Sequence, residues 1–346
     1  MAALIDPQTF LRGCDDPELI EAWSAVGDNT AGFLAVDLQH ASATSRHLDV
    51  DNGRYAPPFC VVIGLDPASG SDADGRGEDA RLPDWVDVAV SSLSALDALC
   101  ERIAQQPVAA ATLAGLLRLS SSLPVADALR AESLAYSTLQ HGAGFERWLA
   151  ERPTRLAAAP AAGPAPVLIE RDGSRLAVTL NRAAQRNAFS AAMRDALCEA
   201  LTLALAEGDL TDVVLRGDGP AFCAGGDLTE FGLARDAAIA HGSRMTRSVG
   251  WLLHQLRLRP GARAEVHGAC IGAGIELPAF LGRIDARRDA FFALPEVGFG
   301  LVPGAGGTVS LPRRIGRHRT AWLGLSGARI DAETALRWGL VDRILP

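Results

Sequence analysis

The chain has 346 residues, 48% of them hydrophobic and 21% charged, with a formal net charge of -8. That is enough for two domains or one large one with a substantial core, and the acidic balance argues against a nucleic-acid surface. All 33 basic residues are Arg. This excludes a lysine Schiff base, a pyridoxal-phosphate lysine and a P-loop lysine, and leaves any phosphate to Arg, main-chain N–H groups or a helix N-terminus.

At the N-terminus no basic stretch leads into an apolar run with a small-residue cleavage site, and no segment reads as long and apolar enough to span a bilayer. Six cysteines (Cys14, Cys60, Cys100, Cys198, Cys223 and Cys270) are scattered without a CxxC pair. They are expected to be reduced and mostly buried, in a cytoplasmic protein. Residues 33–38 and 59–65 are short apolar runs that predict strands. Residues 69–84, rich in Gly, Asp and Ser, predict a loop. From 86 to 150 the pattern is helical, with Leu93, Leu96, Leu99 and Ile103 at helical spacing and a break around Gly142 and Gly144. Residues 153–166, PTRLAAAPAAGPAP, resist packing and predict a linker. The chain thus divides into 1–152, strands then helices; the linker; and 167–346.

Beyond the linker, strands and helices alternate, which argues an α/β fold. Strands are predicted at 167–170 and 176–180, around a hairpin turn at Asp172 and Gly173, then at 213–216, 264–267, 284–289 and 291–294. Helices are predicted at 191–207, 245–258 and 331–339, the last with Asp331 as N-cap and Gly339 past its end.

Two Gly-rich turns follow strands and open helices: FCAGGDL (222–228) and IGAGIEL (271–277). Glycine lets the main chain approach a ligand, and a helix N-terminus aims unsatisfied N–H groups and a positive dipole end at it. The amides of Ala224 and Ala273 are candidates for an oxyanion hole; two ordinary strand–helix turns are the alternative. Glu276 stands in the first turn of the second helix, where the dipole alone favours an acid. Glu296 follows Pro295 in the mostly apolar run ALPEVGFGLVPGAGG (293–307). Burial there would raise its pKa toward acid–base work; an exposed loop acid is the alternative. The histidines offer no metal constellation, and His254, His267 and Cys223 read as structural.

In order and spacing, NRAAQRNAFS (181–190), GDGPAFCAGGDLTEF (217–231), HGACIGAGIEL (267–277), ALPEVGFGLVPGAGGTVSLPRRIG (293–316) and GARIDAETALRWGLVDRIL (327–345) resemble the crotonase superfamily of enoyl-CoA hydratases and isomerases. The resemblance covers about residues 167–346. It implies a spiral of ββα units that binds an acyl-CoA and steadies a thioester enolate with two turn amides, here those of Ala224 and Ala273. It implies that Glu276 activates water and that Glu296 delivers the α-proton, hence an acyl-CoA lyase hydrating a 2-enoyl-CoA. Isomerase or hydrolase chemistry of the same fold, and a non-catalytic CoA-binding subunit, are the alternatives. Arg186, Ala188 and Asp227 fall at positions implied to bind CoA, though Asp227 also suits a helix cap.

Coenzyme A would enter as part of the substrate, without a separate cofactor, metal, nucleic acid or membrane. A trimeric or hexameric homo-oligomer is also implied. The family's closing helices follow the last matched segment, whereas here segments similar to them (95–119 and 128–152) precede the first. A permuted arrangement is expected, with the mainly helical N-terminal region packed as a lid. An independent helical domain is the alternative.

Overall fold

The computed structural model describes residues 3–26, 30–39, 57–67, 82–152 and 164–346. The predicted linker, from 153 to 163, and most of the predicted loop at 69–84 lie outside the described residues. Strands β1 (Leu4–Ile5), β2 (Phe33–Asp37), β3 (Val61–Leu65) and β4 (Val88–Val90) pair in that order as a parallel sheet. Side-chain alternation divides β3 between two cores. Val62 packs with Phe10 and Trp85 beneath α1 (Pro7–Gly13) and α2 (Pro17–Trp23). Val61, Ile63 and Leu65 join the main core with Leu96, Leu99 and Ile103 of α3 (Leu93–Gln105). A strand buried on both faces is an unbroken apolar run, which makes β3 visible in the sequence. β4 is too short to show, so the stretch 86–150 is not helical throughout.

Three more helices follow: α4 (Pro107–Ser120), α5 (Val125–Leu139) and α6 (Ala143–Glu151). Pro107 opens α4, where its missing N–H leaves no bond unmade. α5 and α6 separate at Gly142, as the sequence predicts.

In the second half, β5 (Val167–Asp172) and β6 (Arg175–Leu180) form the expected hairpin, with Gly173 at φ 56. α7 (Ala191–Ala206) is capped by Ser190, whose hydroxyl accepts from Met193 N, and leads to β7 (Asp212–Gly217). The single helix predicted at 245–258 is two, α8 (Ala237–Thr246) and α9 (Val249–Leu256). Ser248 starts α9 by accepting from Trp251 N, which fixes the break.

Two repeated units come next. The first is β8 (Ala262–Val266), β9 (Ala269–Ile271) and α10 (Ala273–Glu276); the second is β10 (Ile284–Arg287), β11 (Phe291–Ala293) and α11 (Gly307–Ile315). α12 (Arg317–Ser326), β12 (Ile330–Asp331), α13 (Ala332–Trp338) and β13 (Arg343–Leu345) follow. The first strand of each unit joins a six-stranded sheet, β13-β10-β8-β7-β6-β5, parallel except for the hairpin. The second strand joins a smaller sheet, β12-β11-β9. This is the ββα spiral that the resemblance implies. Gly268 turns the chain from one sheet to the other at φ 53, where a Cβ would overlap the Pro220 carbonyl.

The N-terminal helices dock on this spiral. α3 and α4 pack on α12, α4 and α5 on α11, and α5 on α8. Being surrounded explains why α4 buries Ala109, Ala110, Leu113, Ala114, Leu116 and Leu117 around most of its circumference. Arg313 of α11 ties the two halves, donating to Ser120 Oγ, Ser120 O and Leu123 O at 2.7–3.0 Å. All six cysteines are free and buried. Among the described residues, no helix is long and apolar enough to cross a membrane.

Candidate active site

The chain passes from β9 into α10 through Gly272, at φ 52 and ψ -121. A Cβ built there would overlap Glu296 Oε1 and lie 3.7 Å from Glu276 Oε1. The two carboxylates therefore converge on one point of the main chain. They arrive from consecutive ββα units: Glu276 ends α10, and Glu296 opens the short 3-10 turn Glu296–Phe299 after β11.

The two acids are held differently. Glu276 is 2% exposed. Its Oε2 accepts from Ala305 N at 2.8 Å and Gly307 N at 2.9 Å, and its own carbonyl accepts from Ser310 Oγ at 2.7 Å. Burial pushes its carboxyl up to about 7, against the pull of those two amides. Glu296 has a buried Oε2 with no hydrogen-bond partner among the described residues. Burial, and then the charge of Glu276, hold its carboxyl well above the usual carboxylate range.

A third acid, absent from the sequence reading, completes the group. Glu132 of α5 is also 2% exposed. It accepts from Gly306 N at 2.7 Å, Thr308 N at 2.9 Å and Thr308 Oγ1 at 2.7 Å. Burial first, and then the charge of Glu276, push it up to about 8. Residues 305–308 enter α11, where amides have no partner within the helix and the dipole is positive. Gly306, at φ 104, gives the bend there. The signal for Glu132 was present: it stands on the buried face of α5 with Ala128, Leu129 and Ser133, where an acid is out of place.

Tyr136, one turn on, lays its ring against Gly304 and beneath the guanidinium of Arg244, 4.7 Å from the ring centre. Beyond Glu132 lies a cavity of about 60 Å³, lined by Leu129, Phe189, Arg244, Leu277 and the main chain at 304–306. Near Glu296, the Trp148 ring of α6 lies tilted against Phe299 at 4.6 Å and against Phe231 at 5.9 Å.

The turn at 222–227 requires a correction. The Ala224 amide donates to the Arg186 carbonyl at 3.0 Å, so it is committed and cannot serve as the oxyanion donor in this arrangement. Gly225, at φ 98, turns the chain. Phe189 N then donates to Gly225 O and Asp227 N to Phe189 O. Gly226 sits between those bonds, and its own N–H has no acceptor among the described residues. The Ala273 amide likewise has none. The two turns lie side by side, with Ile271 N donating to Cys223 O at 3.0 Å and Gly274 packed on the same carbonyl.

Of the residues assigned to CoA, Asp227 is engaged inside the protein. It pairs with Arg182 at 2.9 Å and accepts from Thr229 N and Thr229 Oγ1. An anion so occupied is a cap and an ion-pair partner. Ala188 donates to Gln185 O and accepts from Arg182 Nη1. Arg186 is exposed, in left-handed backbone at φ 51. Asn187 beside it, at φ 53 and fully buried, binds Arg182 N, Asp218 O and Ala221 O and so fixes the loop. His267 bonds Gly219 O at 2.8 Å, a structural role as expected.

Residues 170–346 match the family profile described as enoyl-CoA hydratase/isomerase. Over 180 residues the chain is 35% identical to the 2,3-dehydroadipyl-CoA hydratase of Escherichia coli (strain K12), covering 52% of this chain and 69% of that protein. Over 177 residues it is 36% identical to the mevalonyl-coenzyme A hydratase of Beauveria bassiana (strain ARSEF 2860), covering 49% and 63%. The chain thus spans about two thirds of the length of these curated relatives. Among solved structures it is similar to the enoyl-CoA hydratase from Thermoplasma volcanium GSS1, at 32% identity and a TM-score of 0.48, covering 53% of this chain and 72% of that one.

Proposed function

The chain belongs to the enoyl-CoA hydratase/isomerase family, and on that footing we propose that it adds water across the conjugated double bond of a 2-enoyl-CoA. The observation that carries this reading is the convergence of the Glu276 and Glu296 carboxylates on the Gly272 turn. Hydration needs a base beside the β-carbon and an acid beside the α-carbon of the same bond.

Glu276, pushed up to about 7 and with one oxygen fixed by Ala305 and Gly307, is a base ionised in part at neutral pH and already aimed. It takes a proton from water as the water oxygen bonds the β-carbon. The electron pair of the double bond moves onto the thioester oxygen, where the amides of Gly226 and Ala273 receive the charge. Glu296, held protonated by its dry surroundings, gives its proton to the α-carbon, and the pair returns to its starting state by exchange with solvent. Arg186, exposed beside the first turn, is the side chain available to a CoA phosphate. No cofactor beyond the CoA of the substrate is needed.

This reading makes α5 and α6 the cover of the site, so that residues 1–152 and 167–346 work as one catalytic unit. It also extends to this chain the family's trimeric or hexameric assembly and a cytoplasmic setting. The test is loss of conjugated-thioester absorbance when the purified chain meets a panel of short enoyl-CoAs. Glu276→Gln and Glu296→Gln should each lower kcat by about two to four orders of magnitude. A wild-type chain inert toward the whole panel overturns the proposal.

A further inference from the structure

Arg244 is a half-buried cation whose partners are all neutral. It projects from α8 onto α5, where Nε donates to Ser133 Oγ at 3.2 Å and Nη2 donates to Ser137 Oγ and to Gln140 Oε1. No carboxylate pairs with it among the described residues. The other two arginines lining the same cavity are provided for: Arg194 pairs with Asp195 at 2.9 Å, and Arg247 lies 3.9 Å from the same carboxylate. Glu132 is the acid whose field reaches Arg244, but both its oxygens are committed to residues 306 and 308. Burial without a counter-ion costs the charged form, and it lowers the pKa of this guanidinium. Arg remains protonated, so the site favours an anion.

The position selects the anion. The cavity shares Ala305 and Gly306 with the clamp that holds Glu276 and Glu132. It therefore adjoins the reacting carbons at one end, while Arg247 at the other is exposed. The pantetheine arm keeps the CoA phosphates many bonds from the thioester, so a negative group reaching here must belong to the acyl chain. Leu129, Phe189, Val249 and Leu277 provide apolar walls for the carbons between.

We propose that this cavity takes an acyl group ending in a carboxylate, which pairs with Arg244, and that the preferred substrates are short enoyl-CoAs derived from dicarboxylic acids. The assignment rests on the hydratase reading, but it is tested by binding alone. Succinyl-, glutaryl- and adipyl-CoA are compared by calorimetry with butyryl-, pentanoyl- and hexanoyl-CoA, on the wild-type chain and on Arg244→Met and Arg244→Lys.

A charge-assisted pair predicts a preference of about tenfold or more for the carboxylated ligand at one chain length at least. Arg244→Met should remove that preference and Arg244→Lys should keep part of it. Equal affinity for charged and uncharged ligands at every length overturns the proposal. So does an Arg244→Met variant that weakens both series alike, since that marks a contact to CoA itself. Should Arg244→Met fail to fold, the wild-type comparison still decides. Selective binding without turnover of any enoyl-CoA would leave the pocket standing and sink the hydratase reading.

Discussion

Glu276 and Glu132 grip alternate amides of one loop: Glu276 takes Ala305 and Gly307, and Glu132 takes Gly306 and Thr308. Neither could do so alone, because successive amides entering α11 point in different directions. The grip fixes the carboxylate of Glu276 through a residue from the other half of the chain. Removing it should loosen the base. Glu132→Gln keeps one acceptor oxygen in place of two, and is expected to lower kcat by about tenfold while KM for a neutral enoyl-CoA changes less. Steady-state kinetics separate the two effects; a change confined to KM would contradict this role.

Glu132→Ala goes further. It leaves two amides and a hydroxyl of the buried loop without acceptors, at about 1–3 kcal/mol for each group left unsatisfied. A loss of roughly 3 kcal/mol or more in denaturant unfolding is expected, and a loss under about 1 kcal/mol would show that water replaces the carboxylate.

The pH dependence of turnover follows from the two acids on the substrate. In the proposed reaction activity requires Glu276 ionised, so kcat/KM should rise with pH through about 7. It also requires Glu296 protonated, and burial holds that carboxyl well above the usual carboxylate range, which moves the falling limb up in pH from there. In Glu296→Gln the residual activity should keep the rising limb and lose the falling one.

Stability should run the opposite way. Glu132 and Glu276 bind protons more tightly when folded than the ordinary carboxyl at 4.5 does, with folded values of about 8 and about 7. Between those limits the native state carries protons that the unfolded chain has released. Stability therefore falls as pH rises from about 4.5 through 7 and 8, and levels off beyond. Thermal melts between pH 5 and 8 should show a steeper decline for the wild type than for a Glu132→Gln/Glu276→Gln double variant. Parallel declines would rule the two groups out as the cause.

Gly272→Ala places a methyl against Glu296 Oε1 at a positive φ. The backbone conformation costs on the order of 1–3 kcal/mol, and the methyl forces Glu296 aside. Activity should fall by more than about a hundredfold, with a folded protein by circular dichroism. Wild-type turnover would mean that Glu296 does not work from this position.

Much of the second half is legible because its signals are local. The Asp172 and Gly173 turn, the Asp331 and Gly339 caps and the two Gly-rich turns each lie within a few residues of what they determine. Glu276 is found through the second of those turns, and Glu296 through the apolar run that surrounds it. The donor at the first turn is a different matter. Gly225 reverses the chain between Ala224 and Gly226, and pairing with Phe189 decides which amide is committed. That depends on register, which composition does not carry. Glu132 shows in the sequence only as an acid on a buried helix face, with no sign of its role. A lone acid on a helix face acquires meaning only from the loop it meets, and that loop lies 174 residues away. β4 is three residues long, below the reach of any periodicity.

That separation also bears on how the molecule is made. α5 leaves the ribosome long before residues 305–308 exist, so Glu132 must wait in water, charged, on a helix whose neighbours are apolar. Closing so distant a contact is slow compared with forming the helices themselves. The glycine loop can be gripped only once residues from both halves of the chain have come together. A newborn chain can be compact and helical and still lack an ordered base.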